Sequence, residues 1–257
     1  MNIAIHARNT TKWQKQVAPL FKQGLQRYGI NATITQATER VSDIAIILGP
    51  NSWKHIEQDG LPYIMGNRKF IGFGEHVHST LAISWDGFNG LGTFCVDEID
   101  KARLSSYINV DDIRPQQNGK YSLLCEQTDI GKCVKYKSIT QWYDYVKSNT
   151  NNLKIRKKSN PEYSNFNSWE QGFLSDIQNV KEAHVLNSTV STELLYYGVD
   201  VISHDISNPC FAGNIDTRIE LFHYLSHCQW TFSEIRNGDW WEKMKEKSGP
   251  RLCDITL

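Results

Sequence analysis

Ala183–Pro209 reads AHVLNSTVSTELLYYGVDVISHDISNP. Ala183 to Leu186 is a short buried-type strand, and it stops at the polar trio Asn187-Ser188-Thr189. Ser191 to Tyr197 then carries apolar side chains at helical intervals, Gly198 ends the helix, and Val199 to Ser203 resumes as a strand. Strand, helix and strand at this spacing form one turn of a wound α/β sheet. The junction after Leu186 leaves backbone N–H groups free at the positive end of a helix dipole, an arrangement that binds phosphate. Asn187, Ser188 and Thr189 stand at that junction, the last two with hydroxyl donors. Glu193 projects from the same end, where a carboxylate accepts hydrogen bonds from the vicinal hydroxyls of a ribose. A plain helix cap at Asn187 and Ser188, with Glu193 on a solvated face, fits the same residues.

Outward from this unit the pattern repeats. Upstream lie strands at Tyr121–Cys125 and Leu153–Arg156, with helices at Ile139–Ser148 and Trp169–Ile177. Downstream, two amphipathic helices are expected at Asp216–Trp230 and Ser233–Lys247. The polar stretch Asn109–Lys120, NVDDIRPQQNGK, reads as a linker. Before it comes a second wound half: a strand at Asn2–His6, a helix at Lys12–Tyr28 closed by Gly29, and strands at Ala32–Thr35, Ile44–Leu48, Tyr63–Met65, Phe70–Phe73 and Leu81–Trp85. The expectation is α/β: two Rossmann-like domains, 1–112 and 113–257, facing across a cleft, with the last helix packing back on the first domain.

The chain has 257 residues, enough for a sizeable core without metal or disulfide staples. Its 28 basic and 28 acidic residues cancel, so no whole-protein field draws it to nucleic acid or an anionic membrane, and any polyanion needs a local patch. Forty per cent hydrophobic residues and a mean hydropathy of -0.48, with no apolar run of membrane-spanning length, predict a soluble cytoplasmic protein without a membrane span. The six cysteines show no metal-ligand spacing and read as reduced structural thiols. No G-x-G-x-x-G follows the first strand, where residues 6 to 11 are HARNTT, which argues against a dehydrogenase.

The run NSTVSTELLYYGVDVI, with Asp205 and Asn208-Pro209 after it, resembles the donor-binding segment of GT-B glycosyltransferases. Lys154–Pro161, KIRKKSNP, is similar to the RPHP segment of capsule-type members. Leu123–Gln127 with Asp129 is similar to the strand and glutamine that open their second domain, and Gln229–Gly238 to a tail of compact, often phage-encoded members. The ordered motifs cover roughly residues 121 to 242; the first half rests mainly on Trp85–Gly90. The sequence departs from the family in lacking the RPHP histidine and in placing Asp200 where a proline is usual.

The resemblance implies a metal-independent transferase, needing no cofactor, that moves a sugar from a nucleotide donor, UDP-linked by preference, to a hydroxyl. Gln127, Arg156, Lys158, Asn187, Ser188, Thr189 and Glu193 would hold the donor. The chain fits metal independence, since Asp97-Glu-Ile-Asp100 lacks the spacing of a metal-binding DxD and reads as a helix start. Asp86, on a turn between Trp85 and Gly87, is the candidate general base for an inverting displacement. It is equally read as a turn residue, retention stays open, and Glu75, His76, His78 and His6 are rivals. Trp13, Trp53, Trp85 and Phe88 could stack on a sugar or base, or be core. Two acceptor classes compete. Compact size and likeness to phage-encoded proteins favour a hydroxymethylated pyrimidine in double-stranded DNA, in a host cytoplasm, with Lys54, Asn67-Arg-Lys69 and Lys154–Lys158 on phosphates. Neutral net charge and the capsule-type motifs favour a surface polysaccharide or other glycan. A non-catalytic nucleotide-binding module on the same fold is a third reading.

Overall fold

The computed structural model describes residues 2–49, 53–71, 79–127, 135–157, 172–215 and 217–246. The chain divides into two compact units. One comprises Met1–Phe70, His76–Asp100 and His223–Leu257; the other comprises Ile71–Glu75 and Lys101–Phe222.

The first unit contains β1 (Ile3–His6), α1 (Lys12–Gln26), β2 (Thr33–Thr35), β3 (Ile44–Leu48), α2 (Lys54–Gln58), β4 (Tyr63–Arg68) and β5 (Thr80–Trp85). Its six-stranded sheet runs β10-β5-β4-β3-β1-β2, where β10 is Gln229–Thr231 from the end of the chain. Strands β2, β1, β3 and β4 are parallel, β5 is antiparallel to β4, and β10 is antiparallel to β5. The unbroken run Ile44–Leu48 is buried on both sides. Ile44, Ile46 and Leu48 join Phe21, Leu25 and Trp240 in one cluster, while Ala45 and Ile47 join Trp53, Ile56 and Met65 in another. The helix ends near its expected glycine, with Gly29 left-handed at φ 72 and Ile30 N–H donating to Leu25 O at 3.1 Å.

Three expectations need correction here. Residues 216–230 do not form one helix: α7 (Arg218–His227) stops, and Trp230 lies in β10 opposite Leu81. Residues 233–247 do not form one helix either, because Gly238 at φ 84 separates α8 (Phe232–Asn237) from α9 (Asp239–Glu246). The strand expected at Tyr63–Met65 runs on to Arg68, while Phe70 and Ile71 of the strand expected at Phe70–Phe73 are not in a strand, and residues 72 and 73 lie outside the described residues.

The second unit contains α3 (Lys101–Ser105), β6 (Tyr121–Cys125), α4 (Ile139–Asn149), β7 (Leu153–Arg156), α5 (172–176), β8 (Val180–Val185), α6 (Val190–Tyr196) and β9 (Asp200–Ser203). Its four strands are all parallel, in the order β7-β6-β8-β9. Ser138 caps α4 by accepting from Gln141 N–H. The helix's Trp142 and Val146 pack with Leu124 and Leu186. The polar stretch read as a linker is pinned to this unit: Arg114 N–H donates to Tyr196 O, Gln117 N–H to Gly198 O and Lys120 N–H to Asn179 O.

Candidate functional site

In a parallel sheet, ligands gather at the carboxyl ends of the strands, where the strand order reverses direction. In the second unit the chain lays down β6, then β7 on one side and β8 on the other, so the reversal falls between β6 and β8. The residues that leave those two strands are Gln127 and Asn187. Gln127 Nε2 donates to Asn187 Oδ1 at 2.7 Å, and Gln127 Oε1 accepts from Leu186 N–H at 2.8 Å. The Gln127 backbone is held in turn by Tyr143, whose hydroxyl accepts from its N–H at 2.8 Å and donates to its carbonyl at 2.9 Å. Two residues about 60 positions apart in sequence are thus locked into one polar lining.

Ser188 and Thr189 follow, both half-buried. Their backbone N–H groups make no hydrogen bond among the described residues. The next donors are committed: Ser188 Oγ accepts from Val190 N–H, while Ser191 and Thr192 N–H turn back to the carbonyls of Ser188 and Thr189. The free donors therefore belong to the loop, not to the first turn of the seven-residue α6.

Arg156 and Glu193 meet around Cys125. Burial pushes the Cys125 thiol up to about 12, with Arg156 pulling it down and Glu193 and Asp176 adding to the rise. Arg156 is already engaged, however. Its Nε is 3.2 Å from Asp176 Oδ2, and its guanidinium lies 5.1 Å from the Phe173 ring. The expected phosphate cation is thus partly neutralised by a carboxylate. Lys157 is exposed at the same strand end, and Lys158 and Asp129 lie outside the described residues. Cys95, Cys125, Cys210 and Cys228 are free thiols, and burial also pushes Cys210 up to about 11, so these two thiols are poor nucleophiles at neutral pH.

In the first unit the order reverses between β1 and β3, and His6 ends β1. His6 is fully buried, with Nδ1 2.8 Å from Ala37 O. A carbonyl only accepts, so Nδ1 carries the proton and Nε2 presents its lone pair. Nε2 is buried and has no hydrogen-bond partner among the described residues. Burial lowers the His6 pKa, the Ala37 bond opposes, and the Arg40 charge adds to the lowering, which keeps the ring neutral at pH 7. Trp53 stands edge-on to the ring at 5.5 Å, with the Arg8 guanidinium 5.9 Å from the indole. Gln14 ties the neighbouring strand ends together, accepting from Arg8 N–H at 2.6 Å and donating to Leu48 O at 2.7 Å.

Asp86 lies elsewhere. Its N–H donates to Tyr63 O at 2.9 Å and its Oδ1 accepts from Tyr63 N–H at 3.0 Å. Tyr63 begins β4, so Asp86 sits at the amino-terminal edge of the parallel strands, away from His6. At φ 55 it occupies the left-handed turn geometry open to Asp. Asp86 is thus bonded as a turn residue, the other reading the sequence allows for it. Of its rivals, Glu75, His76 and His78 lie outside the described residues. Trp53, Trp85 and Phe88 are buried core side chains, and Trp13 packs against the core partly buried. Asn67 is also buried, donating to Asn89 Oδ1 at 3.3 Å, which removes it from the expected phosphate contacts. Among the described residues no group of three or more His, Cys, Asp or Glu could hold a metal ion, and no helix is long and apolar enough to cross a membrane.

No protein-family model and no curated protein matches the chain. Among solved structures, the ligand-free, open structure of CD0873, a substrate binding protein with adhesive properties from Clostridium difficile, is similar at 10% identity. The match covers 88% of this chain and 82% of that one, with a TM-score of 0.26, too low to bear on function or detailed fold.

Proposed function

We propose that the chain is a metal-independent glycosyltransferase of the GT-B type, with a UDP-linked sugar at the carboxyl edge of the second unit's sheet and the acceptor at that of the first. The observation that carries this reading is the polar lining at the β6/β8 reversal. There Gln127 and Asn187 are locked together beside two unbonded loop N–H groups, with Glu193 alongside. Ser188 and Thr189 N–H suit a diphosphate, and Glu193 suits ribose hydroxyls.

In the proposed reaction an acceptor hydroxyl attacks the anomeric carbon and gives its proton to a base. The bond from that carbon to the diphosphate breaks with inversion, and UDP leaves with the electron pair. In this reading the base is His6 in place of Asp86, because His6 ends β1 at the carboxyl edge and its Nε2 holds a lone pair. The favoured acceptor is a hydroxymethylated pyrimidine in double-stranded DNA. Lys54, at the start of α2, and Lys157, just after β7, are exposed at carboxyl-edge loops, and Lys154 is exposed on edge strand β7.

The test is UDP release from several UDP-sugars with hydroxymethylated duplex DNA, plain DNA and simple oligosaccharides, with products identified by mass spectrometry. Transfer to the modified DNA is expected; turnover only on oligosaccharides shifts the acceptor class. His6→Asn should abolish turnover with UDP affinity retained, whereas Asp86→Asn should keep turnover and lower thermal stability. The reverse pattern restores Asp86 as the base. A second reading, nucleotide binding without transfer, draws support from the engagement of Arg156 with Asp176. It predicts UDP binding but no UDP release with any acceptor or with water.

A further inference from the structure

Asp205 follows β9 at the same carboxyl edge and is 5% exposed. Its Oδ1 is spent within its own loop, accepting from Ser207 N–H at 2.8 Å and from the Ser207 hydroxyl. Its Oδ2 is buried and has no hydrogen-bond partner among the described residues. The loop is fixed against the end of β8. His204 N–H donates to Val185 O at 2.9 Å, and Ser203 Oγ and Asn208 Nδ2 donate to Leu186 O at 3.1 and 2.6 Å. Asp205 is thus held against the residues that lead directly into Asn187 and Ser188.

A buried carboxylate oxygen without a donor is costly, and a ligand donor is one group that relieves the cost. The charge narrows what that partner is. A carboxylate repels phosphate, so Oδ2 suits an uncharged donor, and in a nucleotide sugar the abundant uncharged donors are hydroxyls. The Oδ1 bonds anchor the carboxylate in its loop, and a ligand hydroxyl reaches the buried Oδ2 as the loop adjusts around it.

We infer that Asp205 is a ligand-contacting residue, accepting a hydrogen bond through Oδ2 from a hydroxyl of the nucleotide sugar, on either the ribose or the transferred sugar. The inference rests on the nucleotide-sugar reading above and adds to it a determinant of sugar selection.

Calorimetric titration of the wild type and of Asp205→Asn with UDP and UDP-glucose tests it. Asn keeps an oxygen for Ser207 and removes the buried charge. Asp205→Asn should therefore melt at the same temperature as the wild type or higher, while binding UDP-glucose about tenfold more weakly. A purely structural aspartate would not give those opposite signs. Equal loss for UDP and UDP-glucose places the hydroxyl on the ribose, and loss for UDP-glucose alone places it on the transferred sugar. Unchanged affinity for both ligands overturns the role of Asp205 and leaves the nucleotide reading standing; a wild type that binds neither UDP nor any UDP-sugar overturns the nucleotide reading itself. Should the variant not fold, the wild type answers through ligands lacking single hydroxyls. One deoxy analogue must bind about tenfold more weakly than its parent. If none does, the inference fails.

Discussion

Gln127 is the side chain that organises the carboxyl edge of the second unit's sheet, because its amide bonds to two different residues at the end of β8. Removing it leaves the Leu186 N–H buried without an acceptor and frees Asn187 to turn away. Gln127→Ala should lower stability by about 2 kcal/mol, read from urea denaturation, and should weaken UDP binding as well. Gln127→Glu separates the two effects. It keeps an acceptor for Leu186 but has no donor for Asn187 Oδ1, so Asn187 must turn its amide over to donate instead, and stability is largely retained while UDP affinity falls. If Gln127→Glu binds UDP as tightly as the wild type, the Asn187 bond does not position the site. The polar residues after Leu186 were legible as site candidates because they directly follow a buried strand, whereas Gln127 came only through the family resemblance. The bond between Gln127 and Asn187 was not legible, since it depends on which strands become neighbours. The place of Asp86 was equally hidden: Trp85-Asp-Gly marks a turn in sequence, but only the antiparallel direction of β5 places that turn at the far edge of the sheet.

At the scale of elements, apolar runs such as Ile44–Leu48 and Leu123–Cys125 announced their strands, whereas β10 was invisible. Its three residues continue the helical spacing of Phe222 and Leu225, and only pairing with β5 makes them a strand, through bonds such as Ile83 N–H to Cys228 O. The chain then turns into α8 through a capping box, Thr231 with Glu234, and leaves it at Gly238. That glycine serves the packing of α8 on α1. A Cβ on Gly238 would stand 2.6 Å from a Tyr28 ring carbon and 2.7 Å from Gly24 O, and one on Gly24 would stand 2.3 Å from Ile235 O. The two backbones approach as closely as glycine allows. Gly24→Ala should cost about 3 kcal/mol, because a backbone carbonyl must move, and Gly238→Ala should cost a similar amount by adding a strained positive φ to the clash. Gly60→Ala is the control. Its φ is 77 but a Cβ there meets nothing within 4 Å, so about 1 kcal/mol is expected. Equal melting temperatures for the Gly24 and Gly60 variants would show that α1 and α8 do not meet through their backbones.

For the molecule as a whole, the response to acid is expected to include a histidine pair, His184 buried and His204 half-buried, on the α4 face of the second sheet. His184 Nδ1 lies 2.9 Å from His204 Nε2; the pair continues to Thr150 Oγ1, 3.3 Å from His184 Nε2, and to the Tyr136 hydroxyl, 3.2 Å from His204 Nδ1. Each link holds one proton, so two protonated rings would set N–H against N–H at the central link. Trp142, Tyr136 and Tyr145 surround His204, and the charged groups that act on the pair are Lys135 and Glu182. Burial first, then His184 and Lys135, lower the His204 pKa to about 4 from 6.5; burial also lowers that of His184, against the pull of Glu182. The unfolded chain therefore takes up protons at a higher pH than the folded one. The stability tied to His204 is complete above pH 6.5 and is lost as pH falls towards about 4. Discounted for partial exposure, the loss is on the order of 2 kcal/mol. Urea midpoints followed by circular dichroism from pH 7.5 to 4 should fall steadily for the wild type. His204→Gln, which cannot titrate, should start lower at pH 7.5 and fall less. Parallel curves for the two proteins would remove His204 from the acid response and leave it to the carboxylates and the rising net positive charge.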